Sequence, residues 1–241
     1  MNEEVNFHNK LFKDKQYSLK PRNSAYAVVD NAFDYYRDQI IKSKPQFLLE
    51  LACSTGLWCS YFSKLGIKVC AIDISFEAAR LCSQRKQELN VIVGDIQSLP
   101  LDLNSFDCVI GSGIIHHLES NMLFDSLAKS NVQCSIFIEP LKHNPLINLY
   151  RFLTPNSRTK GETPLSMNQL NFVQSKFPSS TFRYFGFTSL ILTPFVKIPL
   201  LNKLIKAFQI MDDFLLSKIP ILQKYAWIVV MNVQKTPQEC S

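Results

Sequence analysis

The chain has 241 residues, 46% of them apolar and 19% charged, with 26 Lys and Arg against 20 Asp and Glu. That length and apolar share support a buried core and exclude a disordered chain, while only 7 Gly exclude collagen-like and glycine-rich linker architectures. The formal charge of +6 is spread along the chain without a run of Lys or Arg, unlike the basic stripe of a dedicated nucleic-acid protein.

Cysteines stand at Cys53, Cys59, Cys70, Cys82, Cys108, Cys134 and Cys240, mostly inside apolar runs and without a CxxC. The pattern reads as a reduced, cytoplasmic protein with neither a disulfide framework nor a zinc knuckle. The first fifteen residues have no apolar core of the kind a secretory signal requires. The longest uncharged apolar stretch, between Arg183 and Lys197, falls short of the roughly 20 residues that span a bilayer.

In chain order, Ala25, Val28, Val29, Ala32, Phe33, Tyr36 and Ile40 recur at helical spacing up to Pro45. Strands and helices then alternate. Phe47–Leu51 is predicted as a strand, followed by a small-residue turn and a helix to about Leu65. Ile67–Ile72 is a second strand, and Ser75 caps a helix to about Leu89. Val91–Val93 and Asp107–Gly111 follow as strands, 119–130 as a helix, and Ser135–Ile138 as a fifth strand. Such alternation implies a parallel sheet with helices on both faces, whose ligands sit beyond the C-terminal strand ends. Residues 140–165 are polar and contain Pro140, Pro145, Pro155 and Pro164; 186–222 are strongly apolar; Tyr225–Val233 reads as a buried last strand.

The residues after the strands carry the chemistry. Glu50-Leu51-Ala52-Cys53-Ser54-Thr55-Gly56 is a turn of small residues opening into a helix, where backbone and free N–H groups approach an anionic group. Asp73 lies 17 positions beyond Gly56, placed to accept from a ribose diol or, more plainly, to sit at a helix N-terminus. Gly94-Asp95-Ile96 follows the third strand, and Gly111-Ser112-Gly113-Ile114-Ile115-His116-His117-Leu118 ends the fourth.

Together ELACSTG, AIDIS and VGDIQSLPLDLNSFDCVIGSGIIHHL resemble the class I S-adenosylmethionine-dependent methyltransferases over residues 24–139. The resemblance implies an α/β, Rossmann-like, seven-stranded mostly parallel sheet, here with a helical C-terminal insertion. It implies S-adenosylmethionine as cofactor, S-adenosylhomocysteine as product, and no metal. Glu50 and the turn of Ala52, Cys53, Ser54 and Gly56 would hold the methionine end. Asp73 would bind the ribose hydroxyls with Ile74 flanking the adenine, Asp95 would meet the adenine amino group with Ile96 beside the ring, and Ser112 and Gly113 would floor the sulfonium site. Ala52 and Ser54 replace two glycines of the family's usual loop. A second segment, EPLKHNPLINLYRFLTPNSRT from Glu139 to Thr159, resembles a bacterial methyltransferase subgroup and implies the acceptor-side wall.

Methyl transfer needs positioning and desolvation, and a general base only where the acceptor must lose a proton. His116, His117 and His143 are the candidates, the His pair serving alternatively to hold its loop. Glu139, Asn144, Tyr150, Arg151 and Arg158 fall on the acceptor side, where Arg offers a planar fork to a carboxylate or phosphate, or pairs with Glu162. Tyr17 and Tyr26 are lid or packing aromatics. The segment 186–222 reads as a cap or core helix, as a dimer contact, or as a peripheral membrane surface.

The expectation is one methyltransferase domain over 1–241: an N-terminal helix and lid (1–45), a cofactor-binding core (46–139), an acceptor-side segment and helical cap (140–224) and a last strand (225–233). It would methylate a small-molecule acceptor, with an oxygen of a metabolite, sugar or lipid-like compound as first choice. The rivals are a nucleic-acid methyltransferase, disfavoured by the absent D/NPPY-type motif, and a non-catalytic scaffold that keeps the fold.

Overall fold

The computed structural model describes residues 2–13, 24–85, 89–118, 122–154 and 163–235. Seven strands form one sheet: β1 Phe47–Leu51, β2 Lys68–Asp73, β3 Asn90–Val93, β4 Cys108–Ser112, β5 Cys134–Pro140, β6 Thr181–Phe185 and β7 Ile228–Gln234. Their spatial order is β3-β2-β1-β4-β5-β7-β6. The first five pair in parallel, and β7 runs antiparallel between β5 and β6. The α/β class and the mostly parallel, seven-stranded sheet are as the sequence predicts. β6 is the strand that the periodicity leaves unassigned: Thr-Phe-Arg-Tyr-Phe is a short edge strand between Ser179-Ser180 and Gly186.

The helices are α1 Asn2–Lys13, α2 Asp30–Ser43, α3 Leu57–Lys64, α4 Phe76–Arg85, α5 Met122–Lys129, α6 Pro145–Leu153, α7 Met167–Lys176 and α8 Asn202–Lys218. Alternate residues of each strand enter opposite cores, the consequence of a two-residue side-chain period. Leu49, Leu51, Ile72, Val109 and Phe137 face α5 and α7, which contribute Leu123, Phe124, Leu127, Leu170 and Val173. Leu48, Val69, Ala71, Ile110 and Ile136 face α2 and α3, which contribute Ala32, Tyr36, Ile40, Cys59 and Phe62. Cys53, Cys59, Cys70, Cys82, Cys108 and Cys134 are buried free thiols packed among them. Cys240 lies outside the described residues.

Local signals end the helices where chemistry demands. Ser166 and Gln169 form a reciprocal capping box at α7. The predicted helix through 24–42 begins instead as a tight 3-10 turn, Ser24–Val29, before α2 takes over. The apolar stretch 186–222 is a 3-10 segment Ser189–Phe195, a second at Pro199–Leu201, then α8 and a 3-10 turn Pro220–Tyr225. Asp212 of α8 is buried and accepts from the backbone N–H groups of Phe187, Thr188 and Ser189, which bolts this insertion to the end of β6. No helix among the described residues is long and apolar enough to cross a membrane.

Candidate active site

The strand order reverses between β1 and β4, so the loops after β1, β2, β4 and β5 open onto one crevice at the C-terminal edge of the sheet. The turn after β1 is strained. Ala52 and Ser54 hold φ of 51° and 50°, the left-handed region that glycine enters freely and other residues enter at a cost of about 1 kcal/mol or more. Gly56 follows at φ 72°, and a Cβ there would sit 2.5 Å from Cys82 Sγ. The side where a Cβ would stand is thus filled by α4, so packing by itself requires glycine here. Arg85 of α4 donates to the carbonyl of Thr55 and closes the turn from outside.

Asp73 ends β2 and is only 6% exposed. One carboxylate oxygen accepts from Ser54 N at 2.9 Å and the other from Ser75 N at 2.9 Å, tying the loops after β1 and β2 together. Burial pushes its pKa above the ordinary carboxylate value, and the Ser75 and Ser54 N–H groups pull it back. Asp73 therefore braces Ser75, whose Oγ accepts from Ala78 N at the start of α4. Asp95 accepts from Gln97 N at 2.9 Å and is half-buried just after β3. Ile74 is half-buried beside Asp73, whereas Ile96 packs into the core.

Glu50 is buried beneath the turn, where Cys59 Sγ donates to its Oε2 at 2.6 Å. Desolvation raises its pKa to about 8, against the lowering contribution of the Cys59 hydrogen bond, so the carboxyl keeps its proton at neutral pH.

On the other side of the crevice, Glu139 of β5 is fully buried and organises the loop after β4. Its Oε1 accepts from Ile114 N at 2.7 Å and Ile115 N at 2.8 Å, and its Oε2 lies 2.6 Å from His116 Nδ1. Ser112 and Gly113 are half-buried at the start of this loop, and a Cβ on Gly113 would find His116 Cε1 at 3.6 Å as its nearest neighbour. The His116 side chain is 7% exposed. The His117 ring lies tilted beside His116 with centroids 4.2 Å apart and meets His8 of α1 at 6.0 Å.

Residues 49–129 match the family described as a methyltransferase domain. The fold resembles magnesium protoporphyrin IX methyltransferase from Synechocystis with a TM-score of 0.64, at 11% identity over 98% of this chain and 99% of that one. It also resembles a SAM-dependent methyltransferase from Archaeoglobus fulgidus, with a TM-score of 0.56 and 16% identity over 86% of this chain and 94% of that one. A phosphoethanolamine N-methyltransferase from Haemonchus contortus aligns at TM-score 0.58 and 15% identity, covering 95% of this chain and 60% of that one. At these identities the structural likeness concerns the fold, while the family match supplies the chemistry. No curated protein matches the chain by sequence.

The family match over residues 49–129 and the shared fold support a class I S-adenosylmethionine-dependent methyltransferase. The donor set of the methyltransferase fits its cofactor. Asp73 and Asp95 at the ends of adjacent strands would serve as acceptors for a ligand that brings a diol and an amino group, and the Ala52–Gly56 turn and Gly113 have small or absent side chains. Among the described residues, no group of three or more His, Cys, Asp or Glu side chains is arranged to hold a metal ion.

Two contributors lie where sequence patterns carry no signal, because only folding brings them to the crevice. Asn9 of α1 accepts from Ser75 Oγ at 2.7 Å and Glu77 N at 3.3 Å, so α1 reaches from the end of β2 to His117 after β4. Thr163 N donates to the carbonyl of His116 at 3.4 Å, and Leu165 bonds back to the end of β5, so the chain after α6 borders the histidine loop.

The remaining predicted residues divide. Asn144 is buried and caps α6, accepting from Leu146 N and Ile147 N while donating to Tyr225 O at 2.5 Å. Its amide is engaged by backbone, which corrects the expectation of an acceptor contact. His143 sits just beyond β5; desolvation and the charges of Lys142 and Lys224 lower its pKa, so it is neutral at pH 7. Tyr150 and Arg151 stand on α6, with Tyr150 exposed. Tyr26 stacks on Trp227 at 4.9 Å and is a packing residue. Arg158, Glu162 and Tyr17 lie outside the described residues.

Proposed function

We propose that this methyltransferase transfers a methyl group to an oxygen of a small-molecule acceptor in the class of metabolites, sugars and lipid-like compounds. In this reading His116 receives the acceptor's proton and Glu139 is its positioning residue. The observation that carries the reading is the fully buried Glu139 carboxylate, which binds two backbone N–H groups and His116 Nδ1 beside Gly113.

A hydroxyl is a weak nucleophile until its proton has somewhere to go. A ring held at Nδ1 by a carboxylate is oriented for proton capture at its other nitrogen, and the carboxylate stabilises the imidazolium that results. The two N–H groups on Oε1 hold Glu139 in place, so its role in this reading is to orient the ring rather than to take the proton. His117, tilted beside His116 and touching α1, supports the same ring from the side.

S-adenosylmethionine supplies an electrophilic methyl carbon on a sulfonium sulfur and leaves as S-adenosylhomocysteine. Asp73 would accept from its ribose hydroxyls with Ile74 alongside. Asp95 would accept from its adenine amino group with Ile96 behind, and the Ala52–Gly56 turn over Glu50 would face the methionine end. Tyr150 and Arg151 of α6 would border the acceptor. The small-molecule class is supported by neighbours of the same fold named for magnesium protoporphyrin IX and phosphoethanolamine.

The test is release of S-adenosylhomocysteine across an acceptor library, followed on the best acceptor with Glu139→Gln and His116→Ala. The reading expects both variants to bind S-adenosylmethionine as wild type does and to lose turnover. Full turnover in His116→Ala would sink the assignment of the base.

A further inference from the structure

We infer that this methyltransferase docks on the surface of anionic membranes, through the outward faces of α6, α8 and the 3-10 segments flanking α8. This reading stands apart from the choice of acceptor atom.

The first observation is apolar surface that no described residue covers. A helix packed on a sheet turns one stripe inward and presents polar residues outward. α8 turns Ile205, Gln209, Asp212 and Leu216 inward. Its opposite stripe carries Ala207, Ile210, Met211 and Phe214, bracketed by Lys203 and Lys218; Ile210 is 71% and Phe214 62% exposed. Before the helix stands Leu200 at 87% and after it Ile221 at 68% exposure. α6 buries no residue, and its Leu149, Phe152 and Leu153 face outward. The two regions are joined at their bases by the Asn144–Tyr225 hydrogen bond.

The second observation is charge, and it selects the occupant. Segments 140–154 and 186–225 hold seven Lys and Arg against two Asp. Neither Asp offers a negative charge to a partner: Asp212 is buried on the backbone of 187–189, and Asp213 bonds Arg183 at 3.1 Å. No carboxylate among the described residues pairs with Lys142, Lys197, Lys203 or Lys218. A second copy placed on this face by a two-fold axis would bring unpaired cations against cations. An anionic bilayer supplies what is missing, because apolar side chains enter the acyl boundary while lysines reach lipid phosphates. The face adjoins the acceptor side, since α6 follows directly from the end of β5 and carries Tyr150 and Arg151.

The experiment is vesicle co-sedimentation of the full chain, with phosphatidylcholine alone and with equal parts phosphatidylglycerol. Wild type is expected to bind the phosphatidylglycerol vesicles at least about tenfold more tightly, with the difference lost near 1 M salt, where the Debye length is about 3 Å. Lys203→Glu/Lys218→Glu should remove most of that preference. Ile210→Glu/Phe214→Glu should abolish sedimentation with either vesicle. Calorimetric binding of S-adenosylmethionine by both variants confirms the fold and keeps this test separate from the site assignment. Equal, weak partition of wild type with both vesicles overturns the proposal. So does a wild-type dimer that Ile210→Glu/Phe214→Glu converts to monomer with no vesicle binding by either form, because the face is then a contact between copies.

Discussion

Helices α5 and α6 have similarly apolar sequences and opposite fates. α5, in the cofactor half, lays Leu123, Phe124 and Leu127 against the sheet. α6, in the acceptor half, buries nothing and leaves Leu149, Phe152 and Leu153 outward. The loops beneath them differ in the same sense. Asp73 ties two backbone loops into a cradle, whereas Glu139 ties one loop to a titratable ring. The contrast teaches that amphipathicity states how much apolar surface a helix has and not what will cover it. In the proposals above, one half of this molecule holds a ligand of fixed shape, and the other meets something apolar that the described residues do not provide.

The sharpest attack on that division is Asp73→Ala. It removes charge-assisted bonds to Ser54 and Ser75 together with the proposed ribose contact, so S-adenosylmethionine affinity is expected to fall about 100-fold. Leu149→Ala, in the acceptor half, should leave that affinity unchanged in the same titration. Equal binding by wild type and Asp73→Ala would break the comparison at its root.

Glu139→Gln examines the other side. Turnover is expected to fall about 100-fold with little change in cofactor affinity, the range that a positioned base contributes. Because Glu139 acts through His116, the double variant with His116→Ala should be scarcely slower than the worse single variant, measured as kcat in a double-mutant cycle.

Glu50 turns the cofactor half into a pH reporter. Its folded pKa of about 8 stands above the ordinary 4.5, so the native state holds an extra proton between those values. Its contribution is complete below 4.5 and is lost as pH rises through 8, a loss on the order of a few kcal/mol. Chemical denaturation at pH 5 and pH 9 should show this decline in wild type and a flatter profile in Glu50→Gln. A decline of equal size in the variant would remove Glu50 as its source.

The glycine loop gives the smallest effects and a clear sign test. Gly56→Ala forces a side chain into φ 72° and against Cys82, and about 2 kcal/mol of stability should go, near 4–8 °C in Tm. Ala52→Gly relieves φ 51° at the cost of a more flexible unfolded chain, so its net change should stay within about 1 kcal/mol. If Gly56→Ala proved as mild as Ala52→Gly in thermal melts, the contact with Cys82 would not be what requires glycine.

Most of the cofactor half is legible in the sequence because its information is local. A buried parallel strand is a short apolar run, and the residue that matters for chemistry is the polar one at its end; Glu50, Asp73, Asp95 and Glu139 all stand there. The resemblance to methyltransferases rests on the spacing of those ends, and the fold repeats it. The edge strand β6 escapes this logic, since half of its residues face solvent and five residues are too few for an alternation to stand out.

Tertiary structure alone decided which of these residues act together. Sequence placed His116 near neutral-pH chemistry but not against a carboxylate 23 residues away, a distance closed only because β4 and β5 pair in register. It marked Asn144 as an acceptor contact, and the fold made it a cap, because a buried amide at a helix start must satisfy backbone groups first. It gave no sign that α1 crosses from β2 to β4. And it left 186–222 with three destinies; the folded chain turns both nearby aspartates away and leaves lysines around an apolar face that no described residue covers, the basis of the membrane proposal. Strand patterns are written in neighbours along the chain; the pairing of charges and the covering of surfaces are set by neighbours in space.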